Sequence, residues 1–357
     1  MRNDVVIVGA GVIGCSVAYH LAARGCHNIL VVDRGADFGA GSSPLATGGF
    51  RAQFGSGINV RLSLLSREKL LRFRDEVGAD PGFAQHGYLF LARSEHALRQ
   101  MEKAQRIQRA AGLEDGRMIS AAEAREINPA IGDEEVIGGA YSPTDGFIRA
   151  MQILRGYADA ARRLGVRFDF GVEVEQLDLD AGAVVNARGA WAGPPVEPLR
   201  RCVAATVPTT ALADTMPMTI WADDGYHLRM RDGRALLLWS DAAPRGFEAR
   251  VSDEWIEEVA RLTRARVPPL RDVPIDRNAC WAGLYEMTPD RHAVLGRVER
   301  NLYIASGSSG HGVMHAPALG QLMAEIILDG RATTIDAYPL RPSRFEEGEP
   351  IESVELL

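Results

Sequence analysis

The chain has 357 residues, of which 46% are hydrophobic and 24% are charged. Forty basic residues against 47 acidic ones give a net charge of −7 without a basic block, which disfavours nucleic-acid binding. This composition excludes a disordered or fibrous protein. At about 150 residues per domain, the length favours two domains.

The cysteines and the apolar runs indicate where in the cell the protein is expected. No apolar run is long enough for a transmembrane segment, and the first residues lead into a strand and glycines rather than a cleavage site. The four cysteines have no metal-binding spacing, so we expect no metal and a reduced, cytoplasmic protein. Lysine occurs only at Lys69 and Lys103, both on predicted solvent-facing helices.

The chain begins with a βαβ pattern. Residues 4–9 are an apolar run ending in glycine, which predicts a strand buried on both faces. Helical spacing over 12–24 and a second apolar run over 29–33 follow, and this order predicts a parallel sheet. Residues 34–57 are glycine-rich and predict a long ordered loop, and a charged amphipathic helix is predicted over 58–77.

Further strands and helices alternate beyond this point. Residues 201–239 are β-rich, with turn signals at 223–225 and 231–233. The tail from 341 is acidic and contains proline, which predicts a loose segment. The other predicted strands are 88–91, 136–141, 166–170, 183–187, 276–285 and 301–305, and the other helices are 95–111, 147–164, 255–266 and 313–328.

This order of elements predicts an α/β fold. It combines a Rossmann-like dinucleotide-binding domain, built on a parallel sheet, with a second α+β domain whose sheet is mainly antiparallel. The predicted division assigns 1–78, 146–199 and 285–340 to the first domain, 79–145 and 200–284 to the second, and 341–357 to a tail.

A GxGxxG motif lies where the first strand meets the first helix. In such a motif Gly9 permits a tight turn, Gly11 lets the backbone approach a pyrophosphate, and Gly14 lets helix and strand pack closely. The helix N-terminus supplies N–H donors for phosphates. Asp33 ends the second strand, where an acidic side chain would bind ribose hydroxyls. The motif predicts dinucleotide binding; the alternative is a glycine-rich turn that only packs.

A second glycine cluster, at 307–312, again follows a strand and opens a helix. Reduced flavin carries negative charge at its pyrimidine end, and a helix N-terminus is a suitable electrostatic partner. The cluster therefore favours FAD over NAD, which the first motif alone leaves open.

Several segments together resemble the FAD-dependent amine oxidoreductases grouped with D-amino-acid oxidase, glycine oxidase, sarcosine oxidase and dimethylglycine dehydrogenase. They are 6–16, 41–43 with 48–51, 185–191, 283–290 and 307–314. The order looks closest to bacterial and archaeal members related to the catalytic subunits of proline and opine dehydrogenases, and to glycine and D-amino-acid oxidases. The resemblance implies that the first domain binds FAD and that the second binds the substrate.

The resemblance also implies which residues hold FAD. Val174 would meet adenine through its backbone, Ala187 and Gly189 would line the ribityl side, and 310–314 would line the flavin ring. The full implied set is Gly9, Gly11, Val12, Ile13, Gly14, Asp33, Arg34, Gly41, Ser42, Ser43, Gly48, Gly49, Val174, Ala187, Gly189, Trp191, Gly307, Gly310, His311, Gly312, Val313 and Met314.

The chain departs from the family pattern at several positions. Pro44 stands where covalent members carry a histidine, so the FAD is expected to be non-covalent. Met314 stands where sarcosine oxidases place a substrate-binding lysine, and Arg188 stands where alanine is usual. The loops after Asp180 and Trp191 are shortened.

Flavin-dependent amine oxidation needs a neutral amine and a fixed cation for the substrate carboxylate, while the cofactor supplies the redox chemistry. Arg51 is the leading carboxylate anchor because a guanidinium binds a carboxylate in bidentate fashion; the alternative is a structural ion pair. His311 is expected to bind the flavin or to shape the start of its helix. His227 and Arg229 alternate with Tyr226 on a predicted strand, so they are candidate substrate-side residues.

Other side chains are expected to support the site. Trp239, Trp281 and Tyr285 would wall an apolar pocket, although core packing explains them equally well. Asp290 and His292 are expected to be structural residues near the flavin domain.

The leading hypothesis is an enzyme that oxidises the C–N bond of an amino acid or N-alkylated amine. Hydride would pass to flavin N5, the imine would be hydrolysed, and O2 would reoxidise the flavin. The first alternative is a dehydrogenase that passes electrons to a quinone or a partner protein, which the scarcity of lysine favours. The second is an FAD-binding assembly protein without turnover, and a plain NAD dehydrogenase is a more distant one.

Overall fold

Short apolar runs and amphipathic segments form alternating strands and helices over the described residues, 3–242 and 245–356, of this computed structural model. In chain order they are β1 (Asn3–Val8), α1 (Val12–Ala23), β2 (Ile29–Asp33), β3 (Gly49–Phe50), α2 (Gly57–Leu71), α3 (Phe73–Val77), β4 (Tyr88–Ala92), α4 (Glu95–Ala110), β5 (Arg117–Ser120), α5 (Ala121–Ile127), β6 (Gly138–Ser142), β7 (Gly146–Phe147), α6 (Ala150–Arg163), β8 (Arg167–Phe170), β9 (Ala181–Asn186), β10 (Glu197–Ala205), β11 (Met218–Trp221), β12 (His227–Arg231), β13 (Arg234–Leu238), α7 (Asp253–Arg266), β14 (Trp281–Met287), β15 (Val294–Arg297), β16 (Leu302–Ser306) and α8 (Gly312–Asp329).

The first sheet has the order β15-β16-β9-β1-β2-β8, and every neighbouring pair is parallel except β15 and β16 at one edge. Val5, Val6, Ile7 and Val8 of the central strand β1 are all buried. A strand buried on both faces needs apolar side chains at successive positions, which is the pattern that predicted this strand, and the βαβ order predicted a parallel sheet. The structure confirms that prediction.

Helices α1 and α8 pack directly against each other beside this sheet. The Ser16 hydroxyl donates to the carbonyl of Ala316 at 2.7 Å, and a Cβ on Gly320 would lie 2.1 Å from the Ser16 hydroxyl oxygen. A Cβ on Gly312 would lie 3.6 Å from Ile13. The first turns of the two helices are therefore adjacent.

The second sheet has the order β14-β10-β13-β12-β11-β4-β6-β5, and only the β4–β11 pair is parallel among the described strands. One face packs on α7 through Trp255, Val259 and Leu262, which are buried with Leu228 of β12. The hairpin between β12 and β13 turns at Asp232, whose φ of 54° is left-handed. The mainly antiparallel second sheet is thus confirmed. No helix among the described residues is long and apolar enough to span a membrane.

Several element boundaries differ from the predictions. The helix predicted over 58–77 breaks at Arg72 into α2 and α3. The helix predicted from 147 begins at Ala150, because Phe147 pairs with Gly49 in a short ribbon. Residues 276–280 form a turn and its exit, so β14 starts only at Trp281.

The tail predicted to be loose is packed. The fully buried guanidinium of Arg344 donates to both carboxylate oxygens of Asp290, at 2.8 and 3.0 Å. The Ile351 N–H also donates to Asp290, at 3.0 Å, and the Val354 N–H donates to the Gly55 carbonyl at 3.0 Å. A buried carboxylate requires such partners, and this requirement ties the tail to the body.

Removing the guanidinium should destabilise the fold strongly. Arg344→Met leaves the Asp290 carboxylate buried without its ion partner, which should lower the free energy of unfolding by about 3–5 kcal/mol. Arg72→Met is the control, because Arg72 pairs with Glu68 and Glu76 on an exposed surface and should cost about 0–1 kcal/mol. Denaturant unfolding measures both.

The loss of unfolding free energy in Arg344→Met should also depend on pH. Burial raises the pKa of Asp290, but the hydrogen bonds from Arg344 and Ile351 outweigh it and hold that pKa below its usual value. The ion pair therefore contributes fully above the unfolded pKa of about 4, and its contribution is lost as the pH falls through the folded pKa. Two results would contradict this account. One is an equal loss of unfolding free energy in Arg344→Met and Arg72→Met, and the other is a difference between these losses that grows as the pH falls.

Candidate functional site

A cavity of about 980 Å³ opens where the parallel sheet's glycine turns meet one face of the antiparallel sheet. Of the residues singled out from the sequence for the cofactor, the substrate or the pocket wall, all but Gly14, Gly307, Arg229 and Trp281 line it. The sequence therefore predicted a set of residues that the fold brings to one place.

The three motif glycines have different roles. Gly9 has a left-handed φ of 115°, and a Cβ there would lie 2.3 Å from the carbonyl oxygen of Ala187. A Cβ on Gly14 would lie 1.9 Å from the carbonyl oxygen of Gly9. These two positions must be glycine for the turn and for packing.

Gly11 is under neither constraint. Its φ of −74° suits any residue, and the nearest atom to an added Cβ is the Ser43 hydroxyl oxygen at 3.7 Å. The empty space beside Gly11 belongs to the cavity. A bare backbone at the start of α1, with room for a Cβ but none present, is the feature expected where a pyrophosphate lies close.

Asp33 has two backbone donors already. The Ala10 and Gly35 N–H groups donate to its two carboxylate oxygens, each at 2.7 Å. Each oxygen retains acceptor capacity for a ribose hydroxyl. Arg34 lies at the rim, with its guanidinium 4.0 Å from the Trp191 ring centroid.

The segment 41–49 forms the next wall. The Ser43 hydroxyl oxygen accepts from the Val12 N–H at 3.2 Å, and the Ser42 hydroxyl donates to the Leu284 carbonyl at 2.7 Å. Gly48 has a φ of 78°, and a Cβ there would lie 2.2 Å from the Ile148 carbonyl oxygen. The segment is thus held against α1 on one side and β14 on the other.

Arg188, the departure from the family pattern, holds two loops together. Its side chain donates to Asn186 at 3.1 Å, to the Val174 carbonyl at 3.3 Å and to the Ala192 carbonyl at 3.4 Å. The carbonyl of Val174, expected to face adenine, therefore already has one donor.

The second glycine cluster is fixed by Glu286, a residue that the sequence reasoning did not single out as functional. Its carboxylate accepts from the Ser306 hydroxyl at 2.8 Å, from the Gly307 N–H at 3.1 Å and from the Ser308 hydroxyl. Gly310 has a φ of 90°, and a Cβ there would strike the Tyr285 ring. The loop therefore places backbone without side chains at the start of α8.

Arg51 enters the cavity from the side of α2. It is 7% exposed, lies 4.0 Å from the Phe54 ring centroid and donates to the Gln53 carbonyl. Among the described residues, no carboxylate lies within ion-pair distance of it. Burial lowers the pKa of Arg51 and outweighs the opposing effects of Tyr88, Asp145 and Tyr285.

The antiparallel sheet forms the opposite wall. Apolar residues of this sheet that line the cavity include Val203, Met218, Ile220 and Leu238. Polar residues of the same wall include Tyr88, Arg201, His227 and Tyr285, besides Glu286.

The histidines around this wall are neutral. Burial, reinforced by Arg51 and Arg201, lowers the pKa of His227 to about 4. Its Nδ1 lies 2.8 Å from the Gly225 carbonyl, so Nδ1 donates and Nε2 keeps a free lone pair. Burial and then Arg51 lower the pKa of His311 well below its usual value, and its ring packs edge-on against Phe54.

Arg229 does not line the cavity, although it shares a strand face with His227. Its Nη1 donates to the carbonyls of Thr47 at 2.8 Å and Gly48 at 3.0 Å, and its guanidinium lies 3.5 Å from the Phe147 ring centroid. Burial is the main cause that lowers its pKa to about 9. Arg229 therefore holds the loop that carries Gly48 instead of facing the substrate side.

Two further side chains lie elsewhere than expected. Trp281 does not line the cavity and donates to the Leu45 carbonyl at 2.9 Å. Lys69 is half-buried beside Glu76 and a separate small cavity, instead of facing solvent, whereas Lys103 is exposed. Neither lysine lines the main cavity.

The C-terminal tail also forms part of the cavity wall, which the sequence did not lead us to expect. Residues Ile351, Ser353, Val354, Glu355 and Leu356 line the cavity. Leu356 packs in the apolar cluster of Tyr88 and Phe90, and Glu355 pairs with Arg291 at 3.2 Å. A Cβ on Gly55 would lie 1.9 Å from the Val354 carbonyl oxygen, so only glycine allows this approach.

The cavity's two helix starts and its bare glycine indicate a dinucleotide, and comparison with known proteins identifies the family. Residues 4–326 match the family model described as DAO, FAD dependent oxidoreductase. The chain belongs to this family.

Two curated relatives illustrate the similarity. This FAD-dependent oxidoreductase is 30% identical to FAD-dependent oxidoreductase domain-containing protein 1 of Bos taurus, over 98% of this chain and 86% of that protein. It is 28% identical to glycine oxidase of Geobacillus kaustophilus, over 96% of this chain and 97% of that protein. The family recognised from the sequence motifs is confirmed.

Solved structures show the same fold. The structure of L-proline dehydrogenase from P. horikoshii superposes with a TM-score of 0.90 at 29% identity, covering 98% of this chain and 99% of that chain. Glycine oxidase from Geobacillus kaustophilus gives a TM-score of 0.83 at 26% identity, covering 96% and 99%. The predicted two-sheet α/β fold is therefore confirmed.

The residues present fit FAD. Gly11 leaves backbone N–H groups bare for the pyrophosphate, Asp33 lies beside them with acceptor capacity for ribose, and the start of α8 at Gly312 adjoins that of α1. The positive N-terminal end of α1 suits the negatively charged pyrophosphate, and that of α8 suits the negatively charged pyrimidine end of the reduced flavin.

Gly11→Ala should separate cofactor binding from folding. The added methyl group meets no protein atom closer than 3.7 Å, so the apoprotein should unfold as the wild type does. The methyl group occupies the expected pyrophosphate position, so FAD affinity should fall by at least about tenfold. The flavin-to-protein ratio after dialysis measures this.

Gly57→Ala is the matched control for Gly11→Ala. It lies in the first turn of α2, where an added Cβ meets only Ala111 at 3.9 Å, and should retain FAD. A Gly11→Ala protein with full flavin content would show that the pyrophosphate lies elsewhere.

Proposed function

We propose that this FAD-dependent oxidoreductase oxidises the C–N bond of an amine or amino acid that carries a carboxylate. The observation that carries the proposal is Arg51. It is a buried guanidinium without a carboxylate partner among the described residues, and it faces the cavity into which α8 and His311 open. A charge-assisted pair with a substrate carboxylate would supply the missing partner.

We further propose that FAD is bound without a covalent bond. Pro44 offers no nucleophile at the position where covalent members of the family carry histidine. Cys202 lines the cavity, but burial raises the pKa of its thiol and keeps it protonated. Acid precipitation should release all flavin into the supernatant, and colour retained in the pellet would contradict this assignment.

The wall residues prepare the substrate for oxidation. Arg51 holds the carboxylate, while Met218, Ile220 and Leu238 exclude water. Nearby positive charge lowers the pKa of a bound ammonium group and so favours the neutral amine. The free lone pair of His227 Nε2 can accept a hydrogen bond from the amine. When bound, FAD would accept the hydride from the carbon beside nitrogen, and water then hydrolyses the imine product.

For the electron acceptor we propose a quinone or a partner protein in preference to O2. Oxygen reduction is helped by a fixed cation beside the flavin, because negative charge develops on oxygen. Neither lysine lines the cavity, and His227 and His311 are neutral. Arg51 would be occupied by the substrate, and fast reoxidation by O2 would have to rely on Arg201, a second arginine that lines the cavity from the antiparallel sheet. All four cysteines are free thiols, which supports the proposal of a cytoplasmic location.

Arg51→Lys tests the proposed function. Lysine keeps the positive charge but loses the planar fork, so kcat/KM for a carboxylated amine should fall by about 10- to 100-fold. Flavin content should fall much less, because Arg51 lies on the substrate side. A dye-coupled assay with parallel flavin quantification measures both. An Arg51→Ala protein with unchanged kcat/KM would refute the assignment.

A further inference from the structure

A second arginine faces the cavity from the antiparallel sheet. Strand alternation puts Arg201 on the same face of β10 as Leu199 and Val203, and all three line the cavity, as does Cys202. Its guanidinium lies 5.7 Å from the ring centroid of Tyr285, and its Nη1 donates to the Arg200 carbonyl at 3.3 Å. Sequence reasoning did not single out Arg201.

Arg51 and Arg201 both line the cavity, together with His227 and Tyr285. Both guanidiniums lower the pKa of His227 and both counteract the burial that raises the pKa of Tyr285. Among residues 3–242 and 245–356, neither arginine lies within 4.0 Å of a carboxylate. Two positive charges therefore face one part of the cavity.

Three carboxylates that line the same cavity have other partners. Glu286 accepts from the serines and the N–H group before α8. Asp290 pairs with Arg344, and Glu355 pairs with Arg291. None of them neutralises Arg201, whereas its neighbour Arg200, on the other face of β10, pairs with Asp241 at 2.7 Å.

We propose that the substrate is an amine bearing two carboxylates, with Arg51 binding one and Arg201 the other. This inference rests on the proposed function, which requires only the carboxylate at Arg51. A single carboxylate would leave the second guanidinium without a partner in a cavity walled by Val203, Ile220 and Leu238. A second carboxylate supplies that partner through charge-assisted hydrogen bonds.

Iminodiacetate and sarcosine make a matched pair of probes, because sarcosine carries a hydrogen where iminodiacetate carries its second carboxylate. Oxidation of iminodiacetate transfers a hydride from one methylene carbon to FAD, and the nitrogen loses its proton. Water then cleaves the imine to glyoxylate and glycine, and an added dye reoxidises the reduced flavin. The balance requires no other reactant.

The test compares kcat/KM for the two amines in FAD-loaded wild type, Arg201→Gln and Arg200→Gln. Wild type should prefer iminodiacetate by at least about tenfold, since a charge-assisted bond contributes about that factor. Arg201→Gln should lower this preference by at least about tenfold, and Arg200→Gln should keep it. A wild-type preference for sarcosine, or a preference unchanged in Arg201→Gln, would overturn the inference.

Binding of unreactive analogues separates this inference from the proposed function. Diglycolate and methoxyacetate replace the amine nitrogen of the two probes by oxygen and cannot form an imine. Their dissociation constants, from perturbation of the flavin spectrum, should show the same preference for two carboxylates and its loss in Arg201→Gln. If neither amine is oxidised but diglycolate binds tightly through Arg201, the proposed oxidation fails and the dicarboxylate site stands. If methoxyacetate binds as tightly as diglycolate, the dicarboxylate site fails.

Discussion

The meeting of two helix N-termini is the constraint on which the rest of the structure depends. N–H groups without partners inside their helices, at the starts of α1 and α8, create positive potential in one cavity. Close contact between the helices, at Ser16 and Gly320, places these ends together. The parallel sheet fixes the turn that leads into α1, and Glu286 fixes the loop that leads into α8. The antiparallel sheet then covers the remaining side of the cavity.

Local patterns were sufficient to predict the cofactor side. Successive apolar residues at 5–8 specify a strand buried on both faces, and glycines at fixed offsets specify the turn that follows. The structure explains why the three motif glycines differ: the protein's own backbone excludes a side chain at Gly9 and Gly14, whereas Gly11 has room for one, which fits the expected approach of a pyrophosphate. Local signals can also be overlooked, as at α5, where Ser120 and Glu123 form a capping box.

Contacts between distant segments explain what could not be predicted. Strand alternation placed His227 and Arg229 on one face, but it could not show that Arg229 binds the carbonyls of Thr47 and Gly48, some 180 residues away. The tail's composition suggested a loose segment, because the buried charge of Asp290 that holds it has no local signature. Arg201 becomes informative only when the structure shows that no carboxylate of the described chain accompanies it.

Anaerobic absorbance spectroscopy of the FAD-loaded protein tests the central claim most directly. Addition of a carboxylated amine without oxygen should bleach the oxidised flavin band, and a quinone or dye should restore it faster than oxygen does. A protein whose flavin is reduced by dithionite but by no carboxylated amine would contradict the account. Its cavity would then hold FAD without catalysing amine oxidation.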